Sequence, residues 1–157
     1  MTLRAVAGGA SAAPVLTFYG SITTGSISGG VNVQTTITSP TVGSSSTGIS
    51  LSAGVITFTA PGKYLLTFTG RISVTGSGPY ASPQVTLVSS TNCSMIGDLA
   101  GNGAGFGTAL GGTGPFSGSG IITTTSANAT TSVAINYSQV DCTSSTCNIL
   151  AVIQKLP

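Results

Sequence analysis

The sequence predicts an all-β fold, a single-domain antiparallel β-sandwich of the jelly-roll kind. Three observations carry that expectation. Apolar residues alternate with polar ones through most of the chain, which is the period of a half-buried strand. Clusters of Gly, Pro and Ser interrupt the alternating runs at short intervals. No segment keeps a 3.6-residue period, and the strong helix formers Glu, Lys and Arg are nearly missing. The chain has 157 residues, the length of one ordinary domain. It can bury about two thirds of its unfolded surface without help from metal or disulfide.

The elements follow in order. Residues 1–14 are small and flexible in composition and end at Pro14. They read as an N-terminal arm ahead of a jelly-roll domain spanning 15–157. A first strand is expected over 15–23. A second covers 30–38, where Val31, Val33, Thr35 and Ile37 alternate with Asn32, Gln34 and Thr36. Ser39-Pro40 and the stretch from Gly43 to Gly48 read as turns, followed by short strands over 49–51 and 54–60. Pro61-Gly62 then opens a long strand over 63–75. Tyr64, Leu66, Phe68, Ile72 and Val74 lie on one face of it, and Lys63, Thr67, Thr69, Arg71 and Ser73 on the other, with Leu65 the exception. Val85 and Leu87 mark a strand over 84–89. The glycine-rich stretch 97–120 reads as a long surface loop. Its alternative is a tightly packed Gly-rich strand anchored by Phe106 and Leu110. Strands over 116–124, 132–140 and 148–155 complete the series. In the last, Leu150, Val152 and Leu156 alternate with Ile149, Ala151 and Ile153, so both faces are apolar. A partner subunit on the second face explains this, as does a covering loop.

Composition limits the chemistry. Charged residues make up 4% of the chain, against about 25% in a typical domain. The basic side chains are Arg4, Lys63, Arg71 and Lys155, and the acidic ones Asp98 and Asp141. There is no histidine, so no Ser-His-Asp or Cys-His relay can form within one chain. Asp98 and Asp141 are the only side-chain carboxylates available to a two-carboxylate mechanism, and no motif surrounds them. The expectation is therefore not an enzyme, with no cofactor and no metal. Four scattered basic residues are no nucleic-acid footprint. No run of 18 apolar residues suggests a transmembrane helix. Residues 1–15 lack the continuous apolar core of a secretory signal.

Cys142 and Cys147 bracket a four-residue segment between two expected strands. A hairpin would bring them within disulfide reach at its mouth, and two reduced thiols are the alternative. Cys93 reads as a small buried apolar residue.

The stretch Gly48–Val74, GISLSAGVITFTAPGKYLLTFTGRISV, resembles the central hairpin of the tumour-necrosis-factor-like superfamily. That superfamily includes the heads of complement first component and the C-terminal domains of spore-surface glycoproteins. Phe58, Pro61, Gly62, Tyr64 and Phe68 carry the match. The closing stretch NILAVIQKLP is similar to the family's last strand. The resemblance implies a jelly roll assembled as a compact homotrimer, with Tyr64, Phe68, Leu150, Val152 and Leu156 at the interface. It also leads to an expected role as a structural virion surface protein, namely a capsid cement, decoration or spike-head trimer. Its partners would be its own copies and a major capsid protein or other virion component, with no nucleic acid and no membrane. Thr2, Leu3 and Arg4 of the arm would anchor it to the particle. The alternative is a receptor- or glycan-binding head on a fibre, spore or cell surface, with Tyr19, Tyr80 or Tyr137 offering a stacking face. The expected location is the virion surface after synthesis in the host cytoplasm, or else an extracellular or spore surface.

Overall fold

The computed structural model describes residues 13–24, 33–75, 82–96, 112–138 and 144–157. Eleven strands lie within them: β1 (Val15–Thr24), β2 (Val33–Thr36), β3 (Thr41–Ser45), β4 (Ile49–Ser52), β5 (Val55–Phe58), β6 (Gly62–Thr75), β7 (Ser82–Thr91), β8 (Cys93–Ile96), β9 (Gly112–Thr124), β10 (Ala129–Ser138) and β11 (Ser144–Lys155). They form two antiparallel sheets. One runs β3-β1-β11-β6-β9-β8; the other runs β2-β10-β5-β4, with β7 on the free flank of β10. β5 pairs with the first half of β10 and β2 with the second half.

Period-two alternation builds the core. From β1 come Leu16, Phe18 and Ile22, from β6 Tyr64, Leu66, Phe68 and Ile72, and from β11 Ile149, Ala151 and Ile153. Opposite them stand Ile56 and Phe58 of β5 and Val133 and Ile135 of β10. The largest of these side chains are wholly enclosed, each stabilising the fold by about 1.5–3 kcal/mol of transfer free energy. Phe58 and Tyr64 pack ring against ring across the sandwich, centroids 4.5 Å apart and planes tilted by 54°, and the Tyr64 hydroxyl donates to the Ala60 carbonyl at 2.8 Å.

Three expectations are corrected. The stretch from Gly43 to Gly48 is not all turn, because β3 pairs with β1 there. Every β3 residue is exposed, so this edge strand carries no apolar alternation for a pattern to detect. β8 escapes detection because it has only four residues, held by pairing with β9. The third correction concerns the glycine-rich stretch. The loop reading fails over 112–120, where the expected strand over 116–124 starts four residues earlier and the Gly-rich-strand alternative holds: these residues are the first part of β9, paired with β6 from Gly112↔Val74 to Gly120↔Leu66. Glycine is used here for close approach. A Cβ on Gly118 would stand 2.6 Å from the Phe68 ring, and one on Gly70 would collide with the Phe116 ring and the Asn148 carbonyl. The smooth side of each strand thus receives the neighbouring strand's phenylalanine. Phe106 and Leu110, proposed as anchors, lie outside the described residues.

The β4–β5 hairpin turns through Ala53 and Gly54 with φ of 48° and 79°. Both central residues therefore sit in the left-handed region that a two-residue turn of type I′ requires.

The strands have two poles. At one, Thr24, Ser144, Thr75 and Gly112 stand at or beside one another in register. At the other, the Lys155 amide donates to the Pro14 carbonyl and the Leu156 amide to the Lys63 carbonyl, each at 2.9 Å. The segment leaving toward the N-terminus and the end of β11 therefore meet at one pole. The strand ends bordering 25–32, 76–81 and 139–143, and the start of β9 after 97–111, gather at the opposite one.

Candidate functional site

The outward face of the six-stranded sheet is the unusual surface. β11 lies in its middle, with β1 on one side and β6 then β9 on the other. Register fixes which residues neighbour each other across it. Val15, Gln154, Leu65 and Ile121 form one row; Thr17, Val152, Thr67 and Ser119 the next; Tyr19, Leu150, Thr69 and Ser117 the third; Ser21, Asn148, Arg71 and Pro115 the fourth. Side chains on one face stand about 5 Å apart from strand to strand, so each row is a line of contacts. Arg71 is the one charge in these four rows. Leu150 and Val152 are half-buried, and with Thr67 and Thr69 they line a depression of about 190 Å³.

A larger groove of about 560 Å³ lies beside it, over the third and fourth rows. Tyr19, Ser21, Thr69, Arg71, Asn148 and Leu150 line it, with Ser39 and Thr41 from the β3 side. Its size falls within the roughly 300–1,000 Å³ typical of small-molecule sites. Tyr19 is 51% exposed, the most exposed large apolar side chain among the described residues. Its ring leans on Gly43 of β3, where a Cβ would stand 2.9 Å from Cε2. Tyr19 is thus backed on one side and open on the other. Arg71 meets no carboxylate among the described residues.

The five residues expected at a subunit interface divide. Leu150 and Val152 lie on the outward face, and Leu156 follows at the end of β11, half-buried. Tyr64 and Phe68 point the other way, into the core, at 0% and 4% exposure. They alternate with Leu65, Thr67 and Thr69 along β6, so strand geometry removes them from the outer surface. Lys155 Nζ stands 5.9 Å from the Tyr64 ring centroid, a cation–π contact that holds the last strand against the core.

Cys147 is buried, opposite Ile22 and Ile72 in register; Cys142, its expected disulfide partner, lies outside the described residues. So do Asp98, Asp141, Tyr80 and the arm residues Thr2, Leu3 and Arg4. Cys93 is half-buried. Burial raises its thiol pKa above the ordinary value. Burial also raises the Tyr64 hydroxyl, with the neighbouring Cys93 adding to the shift. Among the described residues no group of three His, Cys, Asp or Glu side chains could hold a metal, and no helix is long and apolar enough to cross a membrane.

No family model matches the sequence, and no curated protein matches it. Solved structures do. The crystal structure of murine APRIL at pH 5.0 superimposes with a TM-score of 0.50 at 13% identity, covering 92% of this chain and 99% of that one. The PRD1 vertex protein P5 gives 0.47 at 15% identity, over 94% and 100%.

Proposed function

From a jelly roll of the tumour-necrosis-factor-like type, we propose that the protein is a structural surface component of a virus particle. It acts as a homotrimeric capsid cement, decoration or spike head, through protein–protein contacts. The outward face of β1, β11, β6 and β9 carries this reading. Within one subunit it leaves Leu150, Val152 and Leu156 incompletely covered, on a surface with a single charge in its four central rows. Such a face needs a partner, and a second copy offers one of matching chemistry. The polarity of the strands supports an anchored head. An arm that leaves beside Pro14 can hold a capsid protein while the opposite pole faces outward, and three arms would add avidity.

The test combines native mass measurement with truncation. Pro14 is bonded to Lys155 and packs against Gly48, so the deletion covers residues 2–12 only. The full chain is expected to be a trimer. The truncated chain is expected to remain a trimer but to lose attachment to particles carrying its major capsid partner. A monomeric full chain, or undiminished attachment after truncation, contradicts the proposal. The second reading, a receptor- or glycan-binding head, is favoured by the groove at Tyr19 and Arg71.

A further inference from the structure

We infer that the groove over β1, β11 and β6 binds a carboxylated saccharide, an acidic sugar of the uronic- or sialic-acid class. This rests on the second reading and names its ligand. The argument begins with charge. The groove holds one cation, Arg71, on an exposed position of β6. The described residues include no aspartate or glutamate side chain to neutralise it. A planar guanidinium presents paired donors that match a carboxylate in two parallel hydrogen bonds.

The remaining lining fits a sugar ring. Ser21, Ser39, Thr41 and Thr69 offer hydroxyls, and Asn148 an amide, which both donate and accept as sugar hydroxyls do. Tyr19 offers an aromatic face, and the C–H side of a pyranose packs on such a face. Gly43 gives that ring its seat, because any side chain there would push it away. Register places the platform and the cation in neighbouring rows, Tyr19 beside Leu150 and Arg71 beside Asn148. Both line the same groove, so a bound acidic saccharide would set a ring over Tyr19 and its carboxylate toward Arg71. A phosphate would call for a denser set of donors, such as further cations or a nest of backbone amides, and one guanidinium amid hydroxyls is a weaker match.

The apolar part of the face proposed for subunit contact, around Val152, Leu65 and Leu156, lies toward the Pro14 pole. The groove lies toward the other pole. Both can therefore be used in one assembly, with Leu150 on the border.

The test uses the full-length protein in its native assembly. Its binding to immobilised oligosaccharides ending in glucuronate or N-acetylneuraminate is compared with binding to the same oligosaccharides after carboxyl reduction. The acidic forms are expected to bind on the order of tenfold more tightly, the range of a charge-assisted hydrogen-bond pair. Arg71→Gln should abolish that preference, and Tyr19→Ala should weaken both forms. Gly43→Val should weaken binding by displacing the platform. Lys63→Gln, outside the groove, should leave binding unchanged. Unaltered thermal melting of the variants shows that they fold. Equal binding of acidic and reduced sugars, or a preference that survives Arg71→Gln, overturns the carboxylate assignment while leaving a glycan-binding head intact. Absence of binding to every sugar overturns both. Stronger binding of a phosphorylated than of a carboxylated sugar also overturns the assignment.

Discussion

Two glycines do work that an alternating pattern cannot announce. Gly70 and Gly118 lie on adjacent strands, each facing the phenylalanine of the other's strand, Phe116 and Phe68. The rings stand 6.1 Å apart, within the range of a stabilising tilted pair. A methyl group on either glycine would displace a buried ring, and on Gly70 it would also meet the Asn148 carbonyl, which belongs to backbone and cannot rotate away. Gly118→Ala is expected to cost about 1–3 kcal/mol through overpacking, and Gly70→Ala at least as much. Denaturant unfolding measures both, and a midpoint unchanged from the parent would contradict the interlock. Ala53 runs the other way. Its φ of 48° suits Asn or Gly better than Ala, so Ala53→Asn should raise stability by about 0.5–1 kcal/mol. The groove was hidden at this scale. Sequence alone set Arg71 on the polar face of its strand and named Tyr19 among three tyrosines, but only the order β1-β11-β6 brings the two together.

Legibility at the scale of the element follows burial. β6 reads clearly because it is long and buries one face, so apolar and polar residues alternate along it with Leu65 the exception. β3 and β8 did not, since an exposed edge strand and a four-residue strand leave no pattern. β9 was half read: Phe116 and Ile122 alternate, but Gly114 and Gly118 occupy inward positions where a pattern search expects apolar side chains. Apolar residues on both faces of β11 raised the choice between a partner and a covering loop. Among the described residues nothing covers Leu150 and Val152 fully. Val152→Asp would place a carboxylate in the middle of the proposed contact, where a desolvated charge without a partner is costly. The variant is expected to keep its single-subunit fold and fall apart into monomers, read by native mass and circular dichroism. A trimer that persists would move the contact elsewhere.

For the whole molecule, scarcity of charge becomes a statement about conditions. The chain has no histidine, the one side chain whose ordinary pKa lies between about 5 and 8. Tyr64 and Cys93 have folded pKa values raised above their ordinary 10.0 and 9.0. Both are protonated below those values in either state, so their contribution to stability is fully present there. As pH rises past them the unfolded chain releases its protons first, and stability falls until the folded groups ionise too. The melting temperature is therefore expected to be nearly flat from about pH 5 to 8 and to decline above about pH 9. Cys93→Ser should lessen the alkaline decline. A steep change between pH 5 and 8 would contradict this. Melting should also move little between roughly 0.05 and 1 M NaCl, because only 4% of the residues carry a charge to be screened.

The position of β11 also sets a timetable. It is the last of the described strands in chain order, yet it stands between β1 and β6 near the centre of its sheet. Until it leaves the ribosome, the early strand and the long middle strand have no bridge, and each offers an open edge to neighbouring nascent chains. The six-stranded sheet can close only after β11 has been made. A chain cut before β11 loses the strand that joins the two parts of this sheet rather than a dispensable edge. Closure of the sheet is thus a late event along the chain, whatever was folded before it.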